Sequence, residues 1–127
     1  MKEMTKKFIY PLFALAVALG LTVAAAGQKP TTIKGAYVVD VACGTAKVKD
    51  DASAEGHSGK KGCATKEACS KSGLGFFANG KFTKFDPKGS DLAKAALAKS
   101  TQDTGQKFTV VGEEKGGVFH LASIKAE

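Results

Sequence analysis

Residues 73–86 read GLGFFANGKFTKFD, and this stretch predicts a β-hairpin around which the rest of the fold can be placed. Asn79-Gly80 supplies the turn, because Asn and Gly tolerate the positive φ angles of a two-residue type I′ turn. Such a turn predicts three cross-strand pairs: Ala78 with Lys81, Phe77 with Phe82, and Phe76 with Thr83. Because side chains alternate along a strand, Leu74, Phe76 and Phe85 are expected on one face.

A helix and two strands are predicted after the hairpin. Ser90 is the predicted N-cap of a helix over residues 92–99, since a serine hydroxyl can accept from a free amide of the first turn. Residues 106–112 and 118–125 show the apolar alternation of strands. A turn over residues 113–117 is predicted to connect them.

One more strand is predicted before the hairpin, over residues 32–42. Gly35, inside this strand, predicts a bend or bulge of the kind that lets a small barrel close. The apolar positions that alternation places on one face are Ile33, Tyr37, Val39 and Val41.

The order of these segments predicts the fold class. One strand, a long loop, two strands, a helix and two strands follow one another along the chain. A helix between strands 3 and 4 of five is the order of the OB-fold, so we expect a mostly β, OB-like Greek-key barrel. A generic five-stranded roll with one helix packed on it is the alternative.

The N-terminal residues 1–26 read as a signal peptide. Lys2, Lys6 and Lys7 precede an uncharged apolar run over residues 8–23, and three alanines follow. The run is shorter than the roughly 20 residues of a membrane-spanning helix, although a retained anchor is the alternative. We expect cleavage after Ala26, a single domain over residues 27–127, a secreted or periplasmic location and no stable membrane anchor.

Composition restricts the possible partners. The formal net charge is +7, and every one of the 19 basic residues is lysine. Arginine, the usual fork for phosphates and guanine edges, is absent from the sequence, and the lysines are interspersed with acids. A solvated basic surface is therefore predicted rather than a nucleic-acid site. The serines, histidines and glycines form neither a hydrolase elbow nor a phosphate loop, so no enzymatic activity is expected.

The candidate chemistry lies in the long loop over residues 43–72. This loop holds all 3 cysteines of the chain and one of its 2 histidines. The four candidate ligands follow the pattern C-x13-H-x5-C-x5-C: Cys43, His57, Cys63 and Cys69. Three thiolates and an imidazole suit zinc or copper(I). The spacing contains neither the C-x-x-C of common zinc motifs nor the C-x-x-C-H of haem attachment.

Other interpretations of the same residues stay open. One disulfide among the three cysteines could staple the loop to the barrel, and a redox-active thiol pair is a further possibility. A disulfide-stapled interaction domain would bind its ligand elsewhere. The candidate face for an acidic or aromatic ligand such as a glycan consists of Phe77, Phe82 and Lys84. Both rings could instead pack under the loop or the helix.

Residues 36–97 resemble a group of small secreted bacterial proteins with an OB-like domain. The resembling segments are Tyr37–Asp40 followed by Cys43, His57 before Cys63-Ala64, Cys69 with Ser72-Gly73 and Gly75, residues 80–86, and the closing Ala122-Ser123-Ile124. The resemblance implies export, an OB-like fold and a unit formed by four residues, Cys43, His57, Cys63 and Cys69. It implies no activity. We therefore expect an exported binding module with a Cys/His metal centre.

Overall fold

The computed structural model of the chain describes residues 30–127, which contain five strands. Their bounds are β1 Thr31–Asp40, β2 Leu74–Ala78, β3 Lys81–Phe85, β4 Lys107–Lys115 and β5 Val118–Ala126. The predicted signal peptide, residues 1–26, lies outside the described residues. No helix among residues 30–127 has the length and apolar character needed to cross a membrane.

The five strands form one mixed sheet. They pair in the closed order β1-β2-β3-β5-β4, and β4 returns to β1. Four of the five pairings are antiparallel, whereas β3 and β5 run parallel over two residue pairs, Lys84 with Val118 and Phe85 with Phe119. The expectation of five strands in one sheet, with a helical part beside it, is confirmed at this level.

The predicted hairpin is confirmed in its register. Phe77 lies opposite Phe82, and Asn79 and Gly80 have φ angles of 54° and 75°. The last hairpin differs from its prediction, since β4 continues to Lys115 and leaves only Gly116-Gly117 as the turn. Both glycines have positive φ angles, of 59° and 79°, which a two-residue turn between long strands requires.

The bulge predicted in β1 is confirmed, and it changes which side chains share a face. Gly35 has a φ of 68°, and the pairing of β1 with β4 shifts register between Ile33 and Ala36. Ile33 consequently packs against the cluster that contains Val38, not with Tyr37 and Val39. Grouping Ile33 with Tyr37 was therefore wrong, because an extra residue at a bulge inverts the alternation.

The segment predicted as a long loop is largely made of short helices. They are α1 Val41–Ala46, α2 Asp51–Glu55, a 3-10 turn Cys63–Thr65, and α3 Glu67–Ser70. The first strand ends at Asp40 rather than at the predicted Ala42. The reason is that the Asp40 side chain accepts from the amide of Cys43 and so caps α1.

Helix α4, Pro87–Ala98, lies between β3 and β4 as predicted but begins earlier. Its N-cap is Asp86, whose side chain accepts from the amide of Gly89. Pro87 favours this start because its fixed φ suits the first helical position. Ser90 is not the cap; its hydroxyl lies 3.1 Å from the amide nitrogen of Leu74 and accepts from it.

Two apolar clusters stabilise the domain. All five strands and α4 contribute to the first, in which the Phe76 ring lies 5.1 Å from Phe119 and 5.5 Å from Phe85 between centroids. The second joins the other face of β1 and β2 to α1 and α2; its buried members are Tyr37, Val39, Val48, Ala54 and Phe77. The segment that carries the cysteines is therefore packed on the sheet.

Candidate metal centre

Asp40 stands at the junction of β1 and α1, with its side chain fully buried (0 % exposed). Oδ2 accepts from the amide of Cys43 at 3.1 Å, which is the capping bond of α1. Oδ1 lies 3.1 Å from Nδ1 of His57. The carboxylate thus joins two of the predicted ligand residues, and a buried carboxylate needs such partners because it has lost its hydration.

The backbone around His57 is held tightly. The His57 carbonyl accepts from the amide of Ala64 at 3.1 Å, which brings the histidine beside the 3-10 turn that starts at Cys63. A β-carbon on Gly62 would overlap that same carbonyl. Only glycine at this position lets the turn approach the histidine so closely.

Ser58 attaches this histidine to the sheet. Its buried hydroxyl accepts from the amide of Val38 at 3.0 Å and donates to the carbonyl of Gln106 at 2.6 Å. The amide of Gln106 donates in return to the carbonyl of Ser58 at 2.9 Å. Ser58 therefore links β1 to Gln106, the residue that precedes β4. This anchor also restricts the position of the neighbouring His57.

Cys63 and Cys69 lie side by side, with 3.7 Å between their sulfur atoms. A disulfide bond is roughly 2.0 Å long, so this is a contact between two thiols. All three cysteines are free and half-buried. The disulfide staple considered from the sequence is therefore not present in the described structure.

The end of α3 is tied to the start of α1. The hydroxyl of Ser72 donates to the carbonyl of Cys69 at 2.9 Å and accepts from the amide of Ala42 at 3.1 Å. The amide of Val41 donates to the carbonyl of Gly73 at 2.9 Å. These bonds bring the helix of Cys69 to the helix of Cys43.

The pKa values of two of the thiols, Cys43 and Cys69, are raised by neighbouring groups. A hydrogen bond from the Cys43 thiol to Asp40 raises the pKa of Cys43, with burial and the charges of Asp40, Cys63 and Cys69 adding to it. The pKa of Cys69 is raised first by its hydrogen bond with Cys63. Activated catalytic cysteines have a lowered pKa, so the raised pKa of Cys43 does not fit an activated thiol in the Cys43, His57 and Asp40 trio.

The geometry brings Cys43 and His57 together and adds Asp40, whereas Cys63 and Cys69 form a separate pair outside that group. Donor atoms of Asp40, Cys43 and His57 all lie within 4.8 Å of one another. Asp40 is not among the predicted ligands, because the sequence places it inside the predicted strand over residues 32–42. An acid three residues before Cys43 is also an N-cap pattern, and that signal could have revealed it.

The alternative ligand face, formed by Phe77, Phe82 and Lys84, does not have its two rings exposed to solvent. Phe77 is 2 % exposed in the second apolar cluster. Phe82 is half-buried, and its ring lies so close to Gly44 of α1 and Gly75 of β2 that a β-carbon at either would overlap it. Of the three residues only Lys84 is exposed, so the rings pack beneath the helical segment instead of forming a stacking platform.

A role for this centre is inferred from its donor atoms and the distances between them. The chain has no significant match among protein-family models, curated proteins or solved structures.

Proposed function

We propose that this chain is an exported, OB-like domain that binds zinc or copper(I) through Cys43, His57, Cys63 and Cys69. The observation that carries the proposal is the 3.7 Å separation of the Cys63 and Cys69 sulfurs. Two sulfur ligands on one tetrahedral zinc ion, each ~2.3 Å from the metal, lie ~3.8 Å apart. The two thiols therefore already have the spacing of a shared ion.

The other two proposed ligands, Cys43 and His57, come from the group they form with Asp40, and the proposal joins this group to the thiol pair. Asp40 beside Nδ1 of His57 resembles the carboxylate–histidine arrangement that orients a metal-bound imidazole and leaves Nε2 for the ion. Cys43 lies within 4.8 Å of both groups. In this proposal Asp40 holds the ring and the other four side chains ligate.

The thiol electrostatics also fit a cation. A hydrogen bond to Asp40 is the largest cause of the raised pKa of Cys43, and one with Cys63 is the largest cause for Cys69; burial and the negative charge of neighbouring thiolates add to both. A bound cation removes that repulsion and displaces the thiol protons. Four protein ligands leave no open position on a tetrahedral ion, which favours holding the ion over catalysis.

The OB-like barrel and the exported location belong to the proposal as well. The closed order β1-β2-β3-β5-β4, with α4 between β3 and β4, supports an OB-like Greek-key barrel. The charge and apolar pattern of residues 1–26 supports export. In an oxidising compartment, three free thiols need a reason to stay reduced, and metal ligation supplies one.

The test is the metal content of the purified protein after incubation with zinc or, under reducing conditions, copper(I). Native mass spectrometry is expected to show one bound ion per chain, lost on denaturation. Cys69→Ser is expected to abolish stoichiometric binding, whereas Ser70→Ala, next to it on α3, is the matched control and should retain it. High salt should release little metal, because coordination is screened far less than surface charge.

Two results would contradict this function. One is a Cys69→Ser variant that holds as much metal as the parent. The other is a folded parent that binds neither ion.

A further inference from the structure

We propose that Cys63 and Cys69 form an oxidisable dithiol, which closes to an intramolecular disulfide when the centre holds no metal. The oxidant is a low-molecular-weight disulfide, for which glutathione disulfide is the probe. Closure of the dithiol does not depend on the metal proposal. Its consequence for metal binding rests on the proposed function, since the disulfide would remove two of the four ligands.

The separation of the sulfurs supports closure. Their 3.7 Å contact has to shorten to the roughly 2.0 Å of a disulfide, which side-chain rotation can provide. Both residues are half-buried, so a small thiol reagent can reach them. Neither sulfur has to cross the apolar core.

The backbone between the two cysteines also permits adjustment. Cys63 opens a three-residue 3-10 turn, and Cys69 lies in the four-residue helix α3. Lys66 joins them in an extended conformation, with φ −72° and ψ 133°. Two single-turn elements linked by one extended residue can shift against each other more easily than two points on one long helix.

Cys43 is held apart from this pair. Its amide donates to the Asp40 carboxylate at 3.1 Å, and its sulfur is grouped with donor atoms of Asp40 and His57 within 4.8 Å rather than with the thiol pair. Pairing Cys43 with either of the other cysteines would require its sulfur to leave this group, whereas the sulfurs of Cys63 and Cys69 are already in contact at 3.7 Å. The structure therefore selects Cys63 with Cys69 among the three possible disulfides.

The reaction is a two-step thiol–disulfide exchange. One cysteine thiolate attacks a sulfur of glutathione disulfide, forms a mixed disulfide and expels one glutathione thiolate. The second cysteine thiolate attacks the protein sulfur of that mixed disulfide and expels the other. The dithiol loses two electrons, glutathione disulfide gains them, and the two cysteine protons end on the two glutathione thiols.

Metal and oxidant compete for the same sulfurs. An ion bound to Cys63 and Cys69 occupies both thiolates and protects them from exchange. Once the disulfide has formed, only Cys43 and His57 remain of the four ligands, which is too few to retain zinc against a chelator. Oxidation would therefore release the ion.

The experiment treats the metal-free protein with glutathione disulfide, then alkylates the remaining thiols under denaturing conditions. Trypsin cleaves after Lys61, Lys66 and Lys71, so Cys63 and Cys69 leave on separate peptides, 62–66 and 67–71. Mass spectrometry should find these two peptides linked and Cys43 alkylated on peptide 35–47. Zinc-loaded protein should form the link at least tenfold more slowly.

Two variants sharpen the result. Cys43→Ser should still give linked peptides 62–66 and 67–71, whereas Cys69→Ser should stop at a mixed disulfide with glutathione. A disulfide that includes Cys43, or three alkylated thiols after equilibration, would overturn the proposal. Linked peptides in a protein that binds no metal would support the dithiol proposal and refute only the proposed metal function.

Discussion

Asp40 is a single buried carboxylate with two structural duties. One oxygen caps α1 through the amide of Cys43, and the other meets the imidazole of His57. The first duty needs only an acceptor, which asparagine can also provide. The second depends on negative charge, because a carboxylate makes the imidazole a stronger metal ligand. The two duties can therefore be separated by one substitution.

Asp40→Asn is expected to weaken metal affinity roughly 10–100-fold while one ion per chain still binds at saturation. The amide keeps an acceptor for the cap of α1 but removes the charge beside His57. Competition with a chromophoric chelator measures the change in affinity.

The matched control is Asp50→Asn. Asp50 caps α2 by accepting from the amide of Ser53 at 2.8 Å and bonds to none of the four proposed ligands. This variant should bind metal like the parent. If Asp40→Asn and Asp50→Asn lose metal affinity equally, the role of Asp40 is confined to capping α1.

The sequence allowed prediction of the four side chains whose chemistry suits a metal, because thiols and an imidazole are recognisable by type. It did not reveal the role of Asp40, since an acid becomes a partner of His57 only when the chain returns to it 17 residues later. The contact of Cys63 with Cys69 was equally hidden, because a spacing of six residues has no fixed geometry in irregular backbone.

At the scale of the elements, two glycines bracket the histidine, one indispensable and one replaceable. A β-carbon on Gly62 would meet the His57 carbonyl, whereas one on Gly56 would have nothing within 4 Å. Gly56 also has a helical φ of −64°, which any residue adopts. The first glycine allows the 3-10 turn to approach α2. The second only ends α2.

Gly62→Ala should lower the free energy of unfolding by about 1–3 kcal/mol, as forced overpacking does. It should also weaken metal binding, because the overlap pushes His57 away from the turn of Cys63. Gly56→Ala, the control, should leave metal affinity unchanged and stability within about 1 kcal/mol of the parent. Chemical denaturation measures the free energy of unfolding, and chelator competition measures the metal affinity. A Gly62→Ala protein with the same stability and affinity as Gly56→Ala would disprove the steric argument.

Elements differed in how far they could be predicted. The Asn79-Gly80 hairpin and the Gly35 bulge follow from local φ requirements, so both were predictable. The helices α1, α2 and α3 have 6, 5 and 4 residues, too short to show a helical apolar period. Side-chain caps at Asp40 and Asp50 start α1 and α2, whereas α3 has no side-chain cap; packing on the sheet, which depends on the tertiary structure, stabilises helices this short.

At the scale of the molecule, a buried polar network connects the proposed metal centre to the closure of the sheet. Ser58 links Val38 of β1 to Gln106, and the side-chain amide of Gln106 donates to the carbonyl of Glu127 at 3.0 Å. The network thereby joins the segment of His57, the approach to β4 and the end of β5.

Ser58→Ala should lower the free energy of unfolding by about 2 kcal/mol or more, because it leaves the amide of Val38 and the carbonyl of Gln106 buried without this partner. Ser123→Ala, on an exposed position of β5, should change it by less than about 0.5 kcal/mol. Thermal and urea unfolding compare the two. Equal stabilities would show that the hydroxyl of Ser58 is dispensable.

The short parallel contact between β3 and β5 has a consequence for local opening. Across it only Lys84 and Phe85 pair with β5, whereas β4 and β5 pair along their length from Lys115–Val118 to Phe108–Ala126. The sheet is therefore expected to open locally between β3 and β5, at this seam, before it opens elsewhere. Native-state hydrogen exchange should find lower protection for amides bonded across the seam than for those between β4 and β5; uniform protection would mean that the ring opens only by global unfolding.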